Sequence, residues 1–267
     1  MLRLGDNMAE THDIDIDAYR PDRMAALAEK AGAAKAMMPL AKLSVLGILA
    51  GVFIAFGGLF FLVTVSGSEL GYGPTRLLGG FAFSLGLVLV VIAGAELFTG
   101  NNLIVMAWAH GHISFVSLMR NWLIVYLANL VGSLLMVVAV VWSGMVAGTV
   151  AETATGAAQA KAALGFDQAF VRGILCNTLV CLAIWLSYAA RRVTGKVLAI
   201  VFPITAFVAL GFEHSVANMF LIPLGLWIAG DPILMPTIAN LVPVTLGNIV
   251  GGAGFVAAAY WFCYLRD

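Results

Sequence analysis

The 267-residue chain is 62% hydrophobic and only 10% charged, and its fourteen Lys and Arg balance fourteen Asp and Glu to a formal net charge of zero. A soluble domain carries about 25% charged residues, so this composition excludes one and specifies a polytopic membrane protein. A neutral balance also gives no case for nucleic-acid binding.

Residues 1–41 read as a cytoplasmic N-terminal segment. Met1 to Asp17 is polar and acidic and is expected to be mobile. Pro21 then opens a helix over Asp22 to Met37, with Met24, Leu27, Ala28, Ala31 and Ala34 on one side. Such an amphipathic helix suits a membrane surface or a neighbouring subunit, and a solvated lead-in is the plain alternative. Residues 42–264 form a transmembrane domain of six spans: Lys42 to Val65, Leu77 to Trp108, Val116 to Trp142, Ala169 to Ala190, Val197 to Ala229 and Thr237 to Tyr264. Met145 to Asp167 reads as a polar connection, and residues 265–267 as a cytoplasmic C-terminus. Cys176, Cys181 and Cys263 fall in apolar spans and are expected to pack inside, without a disulfide framework. Eleven of the fourteen Lys and Arg fall on the N-terminal side of the spans; Arg76, Lys161 and Arg172 are the exceptions. The positive-inside rule then places both termini in the cytoplasm of a cell with this protein in its inner (plasma) membrane.

Spans 2 and 5 are too long. The 33 residues from Val197 to Ala229 would make a helix of roughly 50 Å against a hydrocarbon core of about 30 Å. Both carry the same pattern, Gly-x-Glu-x-x-x-x-Asn: Gly94, Glu96 and Asn101 in span 2, Gly211, Glu213 and Asn218 in span 5. Asn129-Leu130-Val131-Gly132 answers Asn248-Ile249-Val250-Gly251, and Trp142 answers Trp261. The chain is an internal duplication, with repeat one at 42–142 and repeat two at 169–264. Three spans per repeat is an odd number, so the repeats are inverted, and paired interrupted spans point to a transport site at the midplane.

A break exposes N–H groups at the start of the second half-helix, which favours a small anion. Glu96 and Glu213 are expected to brace the breaks by accepting backbone N–H bonds, and Asn101 and Asn218 to cap the second halves or satisfy loop carbonyls. His214 stands at the centre of the second break. It either donates a hydrogen bond or a proton to an anion in transit, or is a hydrogen-bonded packing residue. His110 and His112 read as surface residues of a short loop. No catalytic arrangement, nucleotide motif or metal-ligand spacing stands out, so neither an enzyme nor a cofactor or metal is expected.

The sequences around the breaks resemble those of the formate/nitrite transporter family. Ala95-Glu96-Leu97-Phe98-Thr99-Gly100 and Gly211-Phe212-Glu213-His214-Ser215-Val216-Ala217-Asn218-Met219 carry the resemblance. Ala18-Tyr19-Arg20-Pro21, Asn121-Trp122, Cys181-Leu182-Ala183-Ile184-Trp185 and Val244-Thr245-Leu246-Gly247-Asn248 support it. The resemblance covers nearly the whole chain. It implies an all-α, aquaporin-like protomer of six transmembrane helices in a homopentamer. It implies passage of small monovalent anions, formate first, with nitrite and hydrosulfide as alternatives. The implied pore residues are His214, Thr99, Asn177 and Lys161; the implied apolar constrictions are Phe83, Leu87, Leu97, Phe98, Val180 and Phe207. Phe98, Asn177 and the Tyr-Arg-Pro lead-in suit the formate-type members. A proton-coupled carrier with alternating access stays open beside a channel. A neutral-solute pore is disfavoured because paired Asn-Pro-Ala breaks are missing.

Overall fold

The computed structural model describes residues 18–266; the acidic segment 1–17 and Asp267 lie outside them. The described residues are helical almost throughout. Helices α1 (Pro21–Ala36), α2 (Leu40–Val65) and α3 (Tyr72–Val88) open the chain, and α3 continues through a wide π-helical turn, Leu89–Gly94. After a gap, a tight 3-10 turn, Gly100–Ile104, leads into α4 (Val105–Ala109). Then come α5 (Phe115–Ser143), α6 (Gly148–Ala162), α7 (Phe166–Ala189), α8 (Val193–Ala209), α9 (Ser215–Ala229), α10 (Leu234–Ile249) with a π-helical extension Val250–Ala258, and α11 (Ala259–Tyr264).

Local chemistry sets these limits. Pro21 starts α1, where its missing N–H costs nothing. The Ser114 hydroxyl caps α5 by accepting the Ser117 N–H at 3.1 Å, and Gly144 ends that helix at φ 68°. Five stretches are long and apolar enough to cross a membrane: Leu40–Val65, Tyr72–Gly94, Phe115–Ser143, Phe166–Ala189 and Leu234–Tyr264. α8 and α9 are each too short, and together they make the remaining span. The result is an integral membrane protein with two three-span repeats and spans 2 and 5 interrupted. α2 packs on α5 and α7 on α10 in matching pairs. The approach is close enough that a Cβ on Gly51 would strike the Asn129 carbonyl, and one on Gly251 the Ile174 carbonyl. Outward faces stay apolar, as Trp142, Phe202 and Leu123 show.

The structure corrects three expectations. The connection 145–167 contains a helix, α6, which packs on α9. Its Ala, Thr and Gly side chains are small enough to lie flat on that neighbour, and so lack the large apolar stripe that marks a helix in sequence. α1 buries Met24, Ala25, Ala28, Glu29, Gly32 and Ala36 mainly against this chain's own span 2, while Ala34 of the expected apolar side is exposed. Cys176 and Cys181 are buried, but Cys263 is exposed on α11.

Candidate functional site: two helix breaks between two vestibules

Both breaks open at a glycine with positive φ, Gly94 at 85° and Gly211 at 75°, a conformation that side chains with a Cβ resist. The chain then runs extended for a few residues and re-enters helix. One asparagine bridges each gap. Asn129 Oδ1 accepts the Phe98 N–H at 2.9 Å, while its amide donates to the carbonyls of Gly47 at 2.7 Å and Glu96 at 2.9 Å. Asn248 Oδ1 accepts the Ser215 N–H at 2.9 Å, while its amide donates to the carbonyls of Gly173 at 2.8 Å and Glu213 at 3.0 Å. Backbone freed by the interruptions is thereby satisfied where no water reaches it.

A second duplicated knot lies behind each break. Lys35 Nζ sits 2.9 Å from Glu96 Oε1, and Asn101 donates to Glu96 Oε2 at 2.8 Å and to Asn121 Oδ1 at 2.9 Å. Asn121 returns a bond to the Lys35 carbonyl at 3.1 Å. In the other half, Lys161 Nζ sits 2.9 Å from Glu213 Oε1, and Asn218 donates to Glu213 Oε2 at 2.6 Å and to Asn240 Oδ1 at 2.8 Å. Asn240 returns a bond to the Lys161 carbonyl at 2.9 Å. The glutamates therefore brace the breaks through lysine and asparagine side chains, not through backbone N–H groups as the sequence suggests. A buried carboxylate needs a cation more than it needs an amide. α1 and α6 each deliver that cation, so they are counterparts within the duplication.

His214 is the N-cap of α9. Its Nδ1 accepts the Ala217 N–H at 3.0 Å, so the neutral ring carries its hydrogen on Nε2. Nε2 meets Thr99 Oγ1 at 2.9 Å, across the two breaks. The ring also lies against Phe207, with centroids 5.9 Å apart. The α9 N-terminus holds little open capacity for an anion, because the N–H groups of Ser215, Ala217 and Asn218 already have protein partners. Asn177 is fully buried and ties the same centre together: its amide donates to the carbonyls of Asn248 at 2.7 Å and Thr99 at 3.2 Å.

A vestibule lies on each side of this centre. One, of about 390 Å³, is lined by Phe83, Lys161, Phe207, Glu213 and His214, with Arg76 and Arg172. The other, of about 370 Å³, is lined by Lys35, Glu96, Leu97 and Asn101, with Lys42 and Lys196. Phe83 and Phe207 meet edge to face at 5.6 Å. Leu87 and Val180 are buried in the same apolar cluster. Phe98 lines neither vestibule and instead packs edge-on against Tyr126 at 4.9 Å and Trp122 at 6.1 Å.

The profile of the formate/nitrite transporter family matches residues 22–262. The chain belongs to that family. Among its relatives in the family, it is 41% identical to formate channel FocA of Escherichia coli strain K12, over 96% of this chain and 98% of that protein. It is 46% identical to a probable formate transporter of Methanothermobacter thermautotrophicus, over 87% and 92% respectively. Its fold matches a solved pentameric formate channel with formate bound, with TM-score 0.78 and 42% identity over 85% of this chain and 98% of that one. The family's fold and the two breaks read from sequence therefore agree.

Sequence reasoning missed Lys35, Asn121, Asn240 and Arg76 as parts of the site. Arg76 donates to the carbonyls of Val208 at 2.6 Å and Ala209 at 3.1 Å, closing the C-terminal end of α8. A signal existed for two of them: Asn121 and Asn240 are polar residues inside apolar spans, at matching places in the two repeats.

Proposed function

We propose that this protein is a channel for formate, which crosses together with a proton, in the inner membrane with both termini cytoplasmic. The observation that carries the reading is the 2.9 Å contact of Thr99 with His214 Nε2, which joins the two breaks between the two vestibules. The names of its relatives supply the substrate, and a solved neighbour's pentameric state supplies the expectation of a homopentamer. Apolar outward faces such as those at Leu123 and Trp142 suit lipid and neighbouring subunits. No catalytic residue, cofactor or metal is needed for this transport reading.

The vestibule with Lys161 and Arg172 gathers the anion. Phe83 and Phe207, with Leu97 on the other side, form the apolar slits, and Leu87, Val180 and Phe98 shape them from behind. A bare anion in such a slit loses its hydration. Combining HCOO⁻ with one H⁺ gives HCOOH, which loses far less. His214 Nε2–H and the Thr99 hydroxyl hold the carboxylate while that proton arrives. A second proton on the ring would sit on Nδ1, which faces the Ala217 N–H, so a charged ring must release its cap. Asn177, Glu96, Asn101, Glu213 and Asn218 hold the two breaks in register.

The test is internal pH in proteoliposomes after external formate is added, with the membrane potential clamped and nitrite and hydrosulfide run in parallel. Fast acidification that His214→Asn abolishes is the expected result. Formate uptake with current and no acidification would mean bare-anion conduction. Saturation of flux at low substrate would favour the alternating-access carrier.

A further inference from the structure

We propose that Glu29, His110 and His112 form a binding site for a divalent transition-metal ion of the zinc class, which fastens α1 to the second half of span 2. Glu29 Oε1 lies 2.6 Å from His110 Nδ1 and 3.2 Å from His112 Nε2. All three donor atoms lie within 4.8 Å of one another. Zinc–nitrogen and zinc–oxygen bonds of about 2.0–2.1 Å in a tetrahedron hold donors about 3.3 Å apart, so an ion fits once the His110 contact opens slightly. Two imidazoles and one carboxylate are a common zinc donor set, with water completing the shell.

A plain ion pair accounts for the cluster less well. One carboxylate oxygen needs one protonated imidazole, yet two rings converge on the same atom, with centroids only 5.0 Å apart. Two charged rings at that spacing repel. Glu29 is only 9% exposed, and apart from the two imidazole nitrogens its Oε1 has no polar partner among the described residues. It is a buried acceptor aimed at a gap between two nitrogens. The rings remain open on their other side, with side chains 39% and 54% exposed, so an ion can arrive from solvent.

The site is preorganised by the turn that ends α4. His110 N–H bonds the Met106 carbonyl at 3.1 Å, Gly111 N–H that of Trp108 at 2.9 Å, and His112 N–H that of Ala107 at 2.9 Å. Gly111, at φ 81°, folds the turn so that both histidines face α1. α1 lies close against the same half-span, since a Cβ on Gly32 would stand 3.2 Å from Ile104. The helix carrying Glu29 also carries Gly32 and Lys35, which line one vestibule. An ion at Glu29 thus restrains the wall that presents Lys35 to Glu96.

The experiment uses the full chain, stripped with chelator, in nanodiscs. Zinc is titrated by calorimetry and by thermal melting, and cobalt(II) is followed by visible absorption. One ion per chain, a higher melting temperature and an intense tetrahedral cobalt spectrum are expected. Affinity should fall at least tenfold in His112→Ala and vanish in the His110→Ala/His112→Ala protein. Both variants should melt like the metal-free wild type. Equal zinc affinity in wild type and double variant, or a weak octahedral cobalt spectrum, would overturn the site.

Discussion

Replacing Asn248 by Ala removes three hydrogen bonds in one stroke. The Ser215 N–H and the carbonyls of Gly173 and Glu213 all lose their side-chain partner, and the asparagine is fully buried. A buried polar group left unpaired costs about 1–3 kcal/mol, which for three groups is about 3–9 kcal/mol. In membrane proteins side-chain hydrogen bonds average nearer 0.6 kcal/mol, which sets a floor of about 2 kcal/mol. Two of the three orphans belong to the break itself and have no helical partner to fall back on, so we expect a cost well above that floor, about 4 kcal/mol or more. Asn129→Ala should cost the same within about 1 kcal/mol, because it orphans the Phe98 N–H and the carbonyls of Gly47 and Glu96 in the same geometry. The assay is thermal unfolding in nanodiscs, with Gln159→Ala as reference. Gln159 makes one exposed bond to Asp231, and its loss should stay within about 0.5 kcal/mol. If Asn248→Ala melts with Gln159→Ala, the asparagine bridge does not hold the break.

Three further outcomes follow from the site. Lys161→Met leaves the Glu213 carboxylate buried without its cation and should cost about 3–5 kcal/mol, read as a lower melting temperature; adding Glu213→Gln should recover most of it. Thr99→Val keeps the volume but orphans His214 Nε2–H, so formate flux into liposomes should fall about tenfold if about 1.4 kcal/mol of that lost bond is felt at the midpoint. Phe207→Ala removes one wall of the edge-to-face pair with Phe83, so the flux of acetate and lactate relative to formate should rise above that of the wild-type protein in liposomes; an unchanged ratio would place the slit elsewhere.

The two breaks were legible because an acidic residue and a histidine inside an over-long apolar run cost too much to be there for packing alone. The duplication was legible for spans, where glycine, asparagine and tryptophan recur in order. It was not legible for α1 and α6. Their sequences share a Gly-Ala-Ala stretch before a terminal Lys-Ala, Gly32 to Ala36 and Gly156 to Ala162, but small residues of this kind are too common to mark a repeat. The spacing also differs: 61 residues separate Lys35 from Glu96, but 52 separate Lys161 from Glu213. What the two helices share is a task, placing a cation on a buried carboxylate, and many sequences do that. The roles of Asn129 and Asn248 were half visible: as matched motif residues they marked the repeat. Only the fold shows that their amides reach across to a break more than 30 residues away. Phe98 shows the converse limit, since an aromatic in a break can face the path or its wall, and the choice depends on Tyr126 and Trp122, distant in sequence.

The paired vestibules bear on which way the substrate flows. One mouth presents Arg76, Lys161 and Arg172 beside Glu213; the other presents Lys35, Lys42 and Lys196 beside Glu96. Each therefore offers an approaching anion three cations and one carboxylate, within cavities of nearly equal size. On that balance of charge neither entrance has an evident advantage in capture, and the substrate gradient is expected to set the direction of flux. Vesicles reconstituted with the protein in a single orientation should accordingly load and empty at equal rates under mirrored gradients, and a clear difference between the two rates would show that the mouths are not equivalent.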